Sequence, residues 1–284
     1  RGTHGRVSFL VVWVRQGVVI SDLHVGSRWG LFPPGFMLST GAVYTLHRGQ
    51  EYLLECWQDM QKRLPRRFDI LIINGDAVDG QNPRGLGRDV IEPDPQWQVR
   101  AAAALLQPLA KRAGEVYVTQ GSEYHVRAGA EDDEAVARAI GAIPDEAGHH
   151  AWDWLLLEMD GILLDVAHHR STSIRYETMP GERELQFDRL VADLKGGHAD
   201  LIIRSHGHRY VYVDVDGDKS LATPSWQLQT RYARRSRWPN RWLSRWLGGA
   251  ALRLDGAKTG VGRIEVQPML YPHPPLERRR YARA

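Results

Sequence analysis

The sequence predicts a single α/β domain, on three observations. Runs rich in Val, Ile and Leu at Val18–Ile20, Ile70–Ile73 and Val116–Val118 have the composition of buried strands. Between them stand apolar residues at helical spacing, such as Leu53, Trp57, Met60 and Leu64. Asp160-Gly161 and Asp216-Gly217 mark two hairpin turns. No internal repeat and no low-complexity linker divides the chain.

In order, residues 1–17 read as an N-terminal extension or edge strand. The apolar run from Ser8 to Val14 is too short for a convincing signal segment and is stopped by Arg15 and Gln16. The domain proper is 18–284. Its opening strand, ending at Ser21, is followed by a Gly/Pro-rich loop from Gly26 to Gly41, in which Pro33-Pro34 rules out regular structure. A helix is expected over 49–64, a strand over 69–74, and an Ala-rich helix over 96–112 with a kink at Pro108. A strand at 115–120 and a short helix at 132–141 come next. Residues 155–167 fold as a hairpin, and Phe187, Leu190, Val191 and Leu194 mark an amphipathic helix. A strand at 200–204, a hairpin at 210–222 and a last strand at 262–270 complete the domain.

Composition narrows the class. The chain has 284 residues, 43% hydrophobic and 25% charged, as in soluble globular proteins. No apolar run approaches the roughly 18 residues that a transmembrane helix needs. A single cysteine, Cys56, forbids an intrachain disulfide and fits a cytoplasmic or other reducing compartment. The net charge of +3 is unevenly spread. Six arginines and no acid lie between Arg231 and Arg245, whereas acids gather at Glu131-Asp132-Asp133-Glu134.

Each expected strand runs into polar residues at its C-terminal end. These are Asp22 and His24, then Asp76 and Asp79, then Ser122, Glu123 and His125, then His168-His169, then His206 and His208. Sites of open α/β sheets lie outside the carboxyl ends of the strands, so the five groups are expected to share one crevice. Oxygen donors mixed with imidazoles suit Mn, Fe or Zn better than Ca or Mg.

In this order the motifs resemble those of the calcineurin-like metallophosphoesterases, over roughly residues 18 to 222. Asp22-Leu23-His24 stands for Asp-x-His, and Gly75-Asp76-Ala77-Val78-Asp79 for Gly-Asp-x-x-Asp. His168 matches the lone histidine, and His206-Gly207-His208 matches Gly-His-x-His with Ser205 in place of glycine. The resemblance implies a four-layer α/β/β/α sandwich and two divalent ions, with Mn, Fe or Zn favoured over Mg. It also implies that Asp22, His24 and His208 hold one ion, that His168 and His206 hold the other, and that Asp76 bridges both. The third motif departs: Gly121-Ser122-Glu123-Tyr124-His125 has Ser where the family has a metal-binding Asn, and Glu where it has a proton-donating His. Three readings stay open. Ser122 acts as a weaker ligand or yields to water while His125 supplies the proton, which is the favoured reading. Alternatively His125 reaches the second metal itself, or one metal position is degraded.

Two cations about 3.5–4 Å apart clamp a phosphoryl group and turn water into a nucleophile near neutral pH, the hydroxide that bridges them in such sites. The expected activity is therefore phosphate-ester hydrolysis, preferably of phosphodiesters and including DNA or RNA. His125 is the proton donor to the departing oxygen. Asp79 is either an orienting partner for a ligand histidine or a loop-capping residue. Arg28 and Arg127 either hold phosphate oxygens or are solvated. From a different class comes a nucleic-acid-binding module on the same fold that has lost turnover through the altered third motif. The segment 231–247, with Trp238, Trp242 and Trp246 four apart among arginines, reads as a helix with one aromatic and one cationic face. Such a helix fits a nucleic-acid strand, an anionic membrane surface, or packing of the rings with solvated arginines.

Overall fold

Period-two alternation along the strands divides the apolar residues between two cores. Val18 and Ile20 of β1 (Val14–Ile20) face one side of a sheet and Val19 faces the other. Leu71 and Ile73 alternate in the same way with Ile70 and Ile72 of β2 (Phe68–Asn74), as do Val116 and Val118 with Tyr117 of β3 (Ala113–Thr119). The computed structural model describes residues 14–82, 86–126, 131–169, 179–235, 244–260 and 262–275.

One sheet has six strands in the order β11-β10-β1-β2-β3-β4, where β4 is Ala151–Trp152, β10 is Trp246–Asp255 and β11 is Ile264–Pro272. Its strands β1 to β4 run parallel, and β10 is antiparallel to both of its neighbours. The second sheet is β5-β6-β7-β9-β8, built from Leu155–Met159, Ile162–Val166, Leu201–Arg204, Asp218–Ala222 and Val211–Val215 in that order. There β6, β7 and β9 are parallel and the two edge strands antiparallel.

On the outer face of the six-stranded sheet lie α1 (Arg48–Arg63), α2 (Pro95–Ala110) and, after the one-turn α3 (Glu123–Val126), α4 (Glu131–Ile140); α1, α2 and α4 bury Leu53, Trp57, Met60, Leu105, Leu106, Val136 and Ile140. The inner faces of the sheets meet through Val19, Ile72, Leu164, Ile203, Leu252 and their neighbours. On the far side α5 (Met179–Lys195) covers Ile202 and Val213 with Leu185. The layers are thus α/β/β/α, as the sequence led one to expect. No described helix is long and apolar enough to cross a membrane.

Three details differ from the sequence reading. Residues 14–17 are the first half of β1, an interior strand between β10 and β2. Trp246 and Leu247 begin β10 and are not helical; Gly248-Gly249-Ala250-Ala251 lacks the branched side chains that announce a strand, because it lies closely against β11 and β1. Trp238, Trp242, Arg237, Arg241 and Arg127 lie outside the described residues. The helix expected around Phe187 is present as α5, but Phe187, Leu190 and Leu194 face solvent at 55%, 82% and 86% exposure. Its buried face carries Glu184, Asp188 and Lys195: Glu184 meets Arg204 and Lys195 meets Asp165 on the sheet, while Asp188 pairs with Lys195 of the same helix.

Candidate metal centre

The parallel strands of both sheets end at the same edge, and a polar staple joins them there. Asn74, buried at the end of β2, donates through Nδ2 to Ala167 O at 3.1 Å and to Ser205 Oγ at 2.7 Å. Its Oδ1 accepts from Thr119 Oγ1 at 2.5 Å. The Ser205 hydroxyl also meets Thr223 Oγ1 at 2.7 Å, so through Asn74 on one side and Thr223 on the other this serine ties sheet to sheet. Glycine is required where the loops touch. A Cβ on Gly75, whose φ is +74°, would stand 2.5 Å from His168 Nδ1, and one on Gly121 would stand 2.3 Å from Asp76 Oδ1.

Immediately past the strands the backbone turns left-handed. Asp22, His24, Asp76, His206 and His208 have φ of 51°, 48°, 52°, 62° and 53°. Non-glycine residues in this region cost about 1–3 kcal/mol each, and such strain gathers at functional sites.

The turns bring the sequence-predicted residues together in two groups. Asp22, His24 and His208 offer ligand atoms within 4.8 Å of one another, and so do Asp76, His168 and His206. In the first group His208 Nε2 is 3.3 Å from Asp22 Oδ1 and 3.1 Å from His24 Nε2. In the second, His168 Nε2 is 3.1 Å from Asp76 Oδ2, and it is also 4.0 Å from Asp22 Oδ1, which joins the halves. Asp22, His24, Asp76 and His168 are at most 1% exposed.

Second partners aim the rings. His168 Nδ1 lies 2.7 Å from Asn74 O; a carbonyl only accepts, so Nδ1 carries hydrogen and Nε2 turns to the carboxylates. Asp79 Oδ1 sits 3.3 Å from His24 Nδ1 and 3.5 Å from His125 Nδ1. The Asp79 carboxylate thus lies against both rings, although His24 Nδ1 has no aligned hydrogen-bond partner, and Gln227 Nε2 holds the same oxygen at 3.3 Å. His125 Nδ1 also donates to Asp79 O at 2.9 Å. His125 thus groups with His24 and Asp79, apart from the Asp76–His168–His206 half. Ser122 touches Asp76: its N–H donates to Oδ1 at 2.7 Å, and Oγ lies 3.1 and 3.2 Å from the two carboxylate oxygens.

Electrostatics match this packing. Burial works against ionised Asp22, yet His208 and His168 beside it hold its carboxyl at about 2. Burial likewise opposes ionised Asp76, and His168 and His125 carry it well below the carboxylate range. His168 is lifted to about 10 against the effect of burial, by Asp76 and Asp22. Burial lowers His24, helped by His125, and lowers His206 to about 4, helped by His168, so both are neutral donors at pH 7.

The donor set fits divalent cations. Both Asp22 oxygens, His168 Nε2 and His206 Nδ1 are buried without a hydrogen-bond partner. His168 Nε2 and Asp76 Oδ2 are 3.1 Å apart but not aligned for a hydrogen bond, so the ring nitrogen stays unsatisfied beside the carboxylate. Mixed carboxylate and imidazole donors in two adjoining groups are the inventory of a dinuclear N/O site.

One contributor was not legible in the sequence. Asp133 of α4, 0% exposed, accepts from the N–H groups of Asp76 at 3.1 Å, Ala77 at 3.0 Å and Gly121 at 2.8 Å. It clamps the second and third motif loops to each other. Burial and the nearby Asp76 raise its carboxyl to about 7. Within the run Glu131-Asp132-Asp133-Glu134 nothing distinguishes it from a solvated acid.

The rim carries part of the basic segment. Trp226 N donates to Asp22 O at 3.0 Å and Leu228 N to Trp29 O at 2.7 Å, which brings α6 (Arg231–Arg235) beside the loop that follows His24. The Arg234 guanidinium stacks on the Trp29 ring at 4.9 Å, and Arg231 Nε is 3.7 Å from Asp89 Oδ1. Arg28 is exposed on the same loop.

No protein-family model matches the chain, and no curated protein does. Solved structures do. Vps29 from Entamoeba histolytica complexed with zinc aligns over 90% of this chain and 98% of its own, at 13% identity and a TM-score of 0.44. A predicted phosphoesterase from Streptococcus pneumoniae aligns over 90% and 98%, at 13% identity and a TM-score of 0.35. An archaeal phosphodiesterase aligns over 90% and 99%, at 10% identity and a TM-score of 0.41. At such identities the chemistry has to be read from this chain's own side chains.

Proposed function

We propose that the protein is a dinuclear metal-dependent phosphoesterase of the calcineurin-like kind, acting on phosphodiesters. The observation that carries the reading is the pair of adjoining triads, Asp22–His24–His208 and Asp76–His168–His206, in which both Asp22 oxygens, His168 Nε2 and His206 Nδ1 are buried without hydrogen-bond partners. Two divalent ions held there would polarise a phosphoryl oxygen and lower the pKa of water to near neutrality. The protein's own residues do the rest. Asp79 fixes the rings of His24 and His125, Ser122 and Asp133 hold Asp76 and its loop, and His125 delivers a proton to the departing oxygen. Arg234 on Trp29, next to the His24 loop, offers a cation and a ring to a phosphodiester chain such as DNA or RNA.

The test is hydrolysis of aryl phosphodiester, phosphomonoester and DNA substrates with added Mn²⁺, with metal content measured in parallel. Asp76→Asn abolishes turnover and the second equivalent of bound metal. Equal metal and equal activity in wild type and variant would overturn the assignment. A second reading rests on Ser122, whose hydroxyl is spent on Asp76 where the family's Asn binds metal. A wild type that binds metal and nucleic acid but turns over none of the substrates favours a binding module.

A further inference from the structure

Helix α5 is built with its faces reversed. Its inward side holds Glu184, Asp188 and Lys195 together with Leu185 and Ala192, while Phe187, Leu190 and Leu194 point to solvent at 55%, 82% and 86% exposure. Single exposed leucines need no explanation, but three large apolar side chains at i, i+3 and i+7 form one narrow stripe. A stripe of that width is the seam by which one helix meets another helix, narrower than the face a helix turns to its own core.

We propose that this stripe pairs with the same stripe of a second copy of the chain, α5 against α5 in antiparallel array. The charges around it select that occupant. The exposed ionic side chains of α5 are Glu182, Arg183, Arg189 and Asp193, which sum to zero. A neutral rim gives no attraction to anionic lipid or to a nucleic acid, and it is self-complementary when the helix is reversed. With a twofold axis between Leu190 and Val191, Phe187 comes level with the second copy's Leu194 and Leu190 with its Val191, and Arg189 lies one residue off level with its Asp193. Arg189 already holds Asp218 through Nη2, and its guanidinium has further donors to offer. The stripe presents roughly 400 Å² of apolar surface, about half of the 800 Å² or so per partner in a stable complex. Its polar flanks, Gln186 among them, supply the remainder, so a reversible dimer is expected. This inference stands apart from the phosphoesterase reading.

Sedimentation velocity over a wide concentration range tests it. The wild-type chain shifts from monomer to dimer as concentration rises. The double variant Leu190→Glu, Leu194→Glu raises the dissociation constant by about 100-fold or more with an unchanged circular dichroism spectrum. Leu190→Cys forms a disulfide-linked dimer under mild oxidation, whereas Val43→Cys, exposed elsewhere on the surface, does not. A wild type that is monomeric at every concentration overturns the proposal. So does a dimer whose dissociation constant the double variant leaves unchanged, and so does a monomer that floats with anionic vesicles.

Discussion

Two buried polar clusters lie in the same layer sandwich and obey opposite rules. Between α5 and the second sheet, Lys195 contacts Asp165 and Asp188, while Arg204 contacts Asp165 and Glu184. These charged groups are at most 9% exposed, and each meets an opposite charge. At the strand ends, Asp22, His24, Asp76 and His168 are as deeply placed, with His206 and His208 partly exposed, but the two groups leave carboxylate oxygens and ring nitrogens unmatched, and all but His168 stand on left-handed backbone. A buried polar atom without a partner costs about 1–3 kcal/mol, so the second arrangement works against folding where the first supports it. The first cluster is internally complete and holds a helix to a sheet. The second keeps donor atoms that no described residue satisfies.

The largest effect expected from sharpening this contrast is on catalysis. His125→Gln slows hydrolysis of a diester with a poor leaving group by about 10²–10⁴-fold, and that of an activated aryl diester far less. Steady-state rates on the two substrates separate the outcomes; equal losses on both remove His125 from the proton-donor role. In the other cluster, Asp165→Asn leaves Arg204 and Lys195 short of a partner and costs about 3–5 kcal/mol of stability in urea unfolding, with metal content unchanged. Burial raises the Asp165 carboxyl, but Arg204 and Lys195 bring it below its ordinary 3.8. Its contribution is therefore present above pH 3.8 and fades as pH falls through the lower folded value, so acid unfolding is steeper in wild type than in Asp165→Asn. Smallest is Asp79→Asn, which keeps its size but weakens its hold on His24 and His125. It lowers metal affinity or activity by about 10–100-fold, read by competition with a chelating dye. A loss of stability with full metal affinity would class Asp79 with the structural cluster instead.

The contrast also explains what could be read in advance. The strand ends were legible because a buried run that stops at Asp22, Asp76 or His206 announces both its own end and a site. Ligand residues sit at fixed steps after a strand, and that is a local pattern. Asp133 was not legible, because only its tertiary contacts separate it from exposed Glu131 beside it. Helix α5 was legible as a helix but inverted in orientation, since a seam facing solvent and a seam facing the core share one period. What turned it was the pairing of Glu184 and Lys195 with Arg204 and Asp165 on distant strands. Strand β10 was hidden by its Gly-Gly-Ala-Ala centre, and Trp246, read as the third ring of a helical face, opens that strand.

The central claim is that the two triads at the strand ends are a pair of cation sites. Metal-free protein dialysed against Mn²⁺ or Zn²⁺ and then freed of excess ion gives the most direct test, by elemental analysis together with the midpoint of thermal unfolding. Two ions per chain are expected, with a midpoint higher than in chelator, because ligand binding to the folded state alone stabilises it. A chain that retains no ion and melts at the same temperature with metal and with chelator would contradict it.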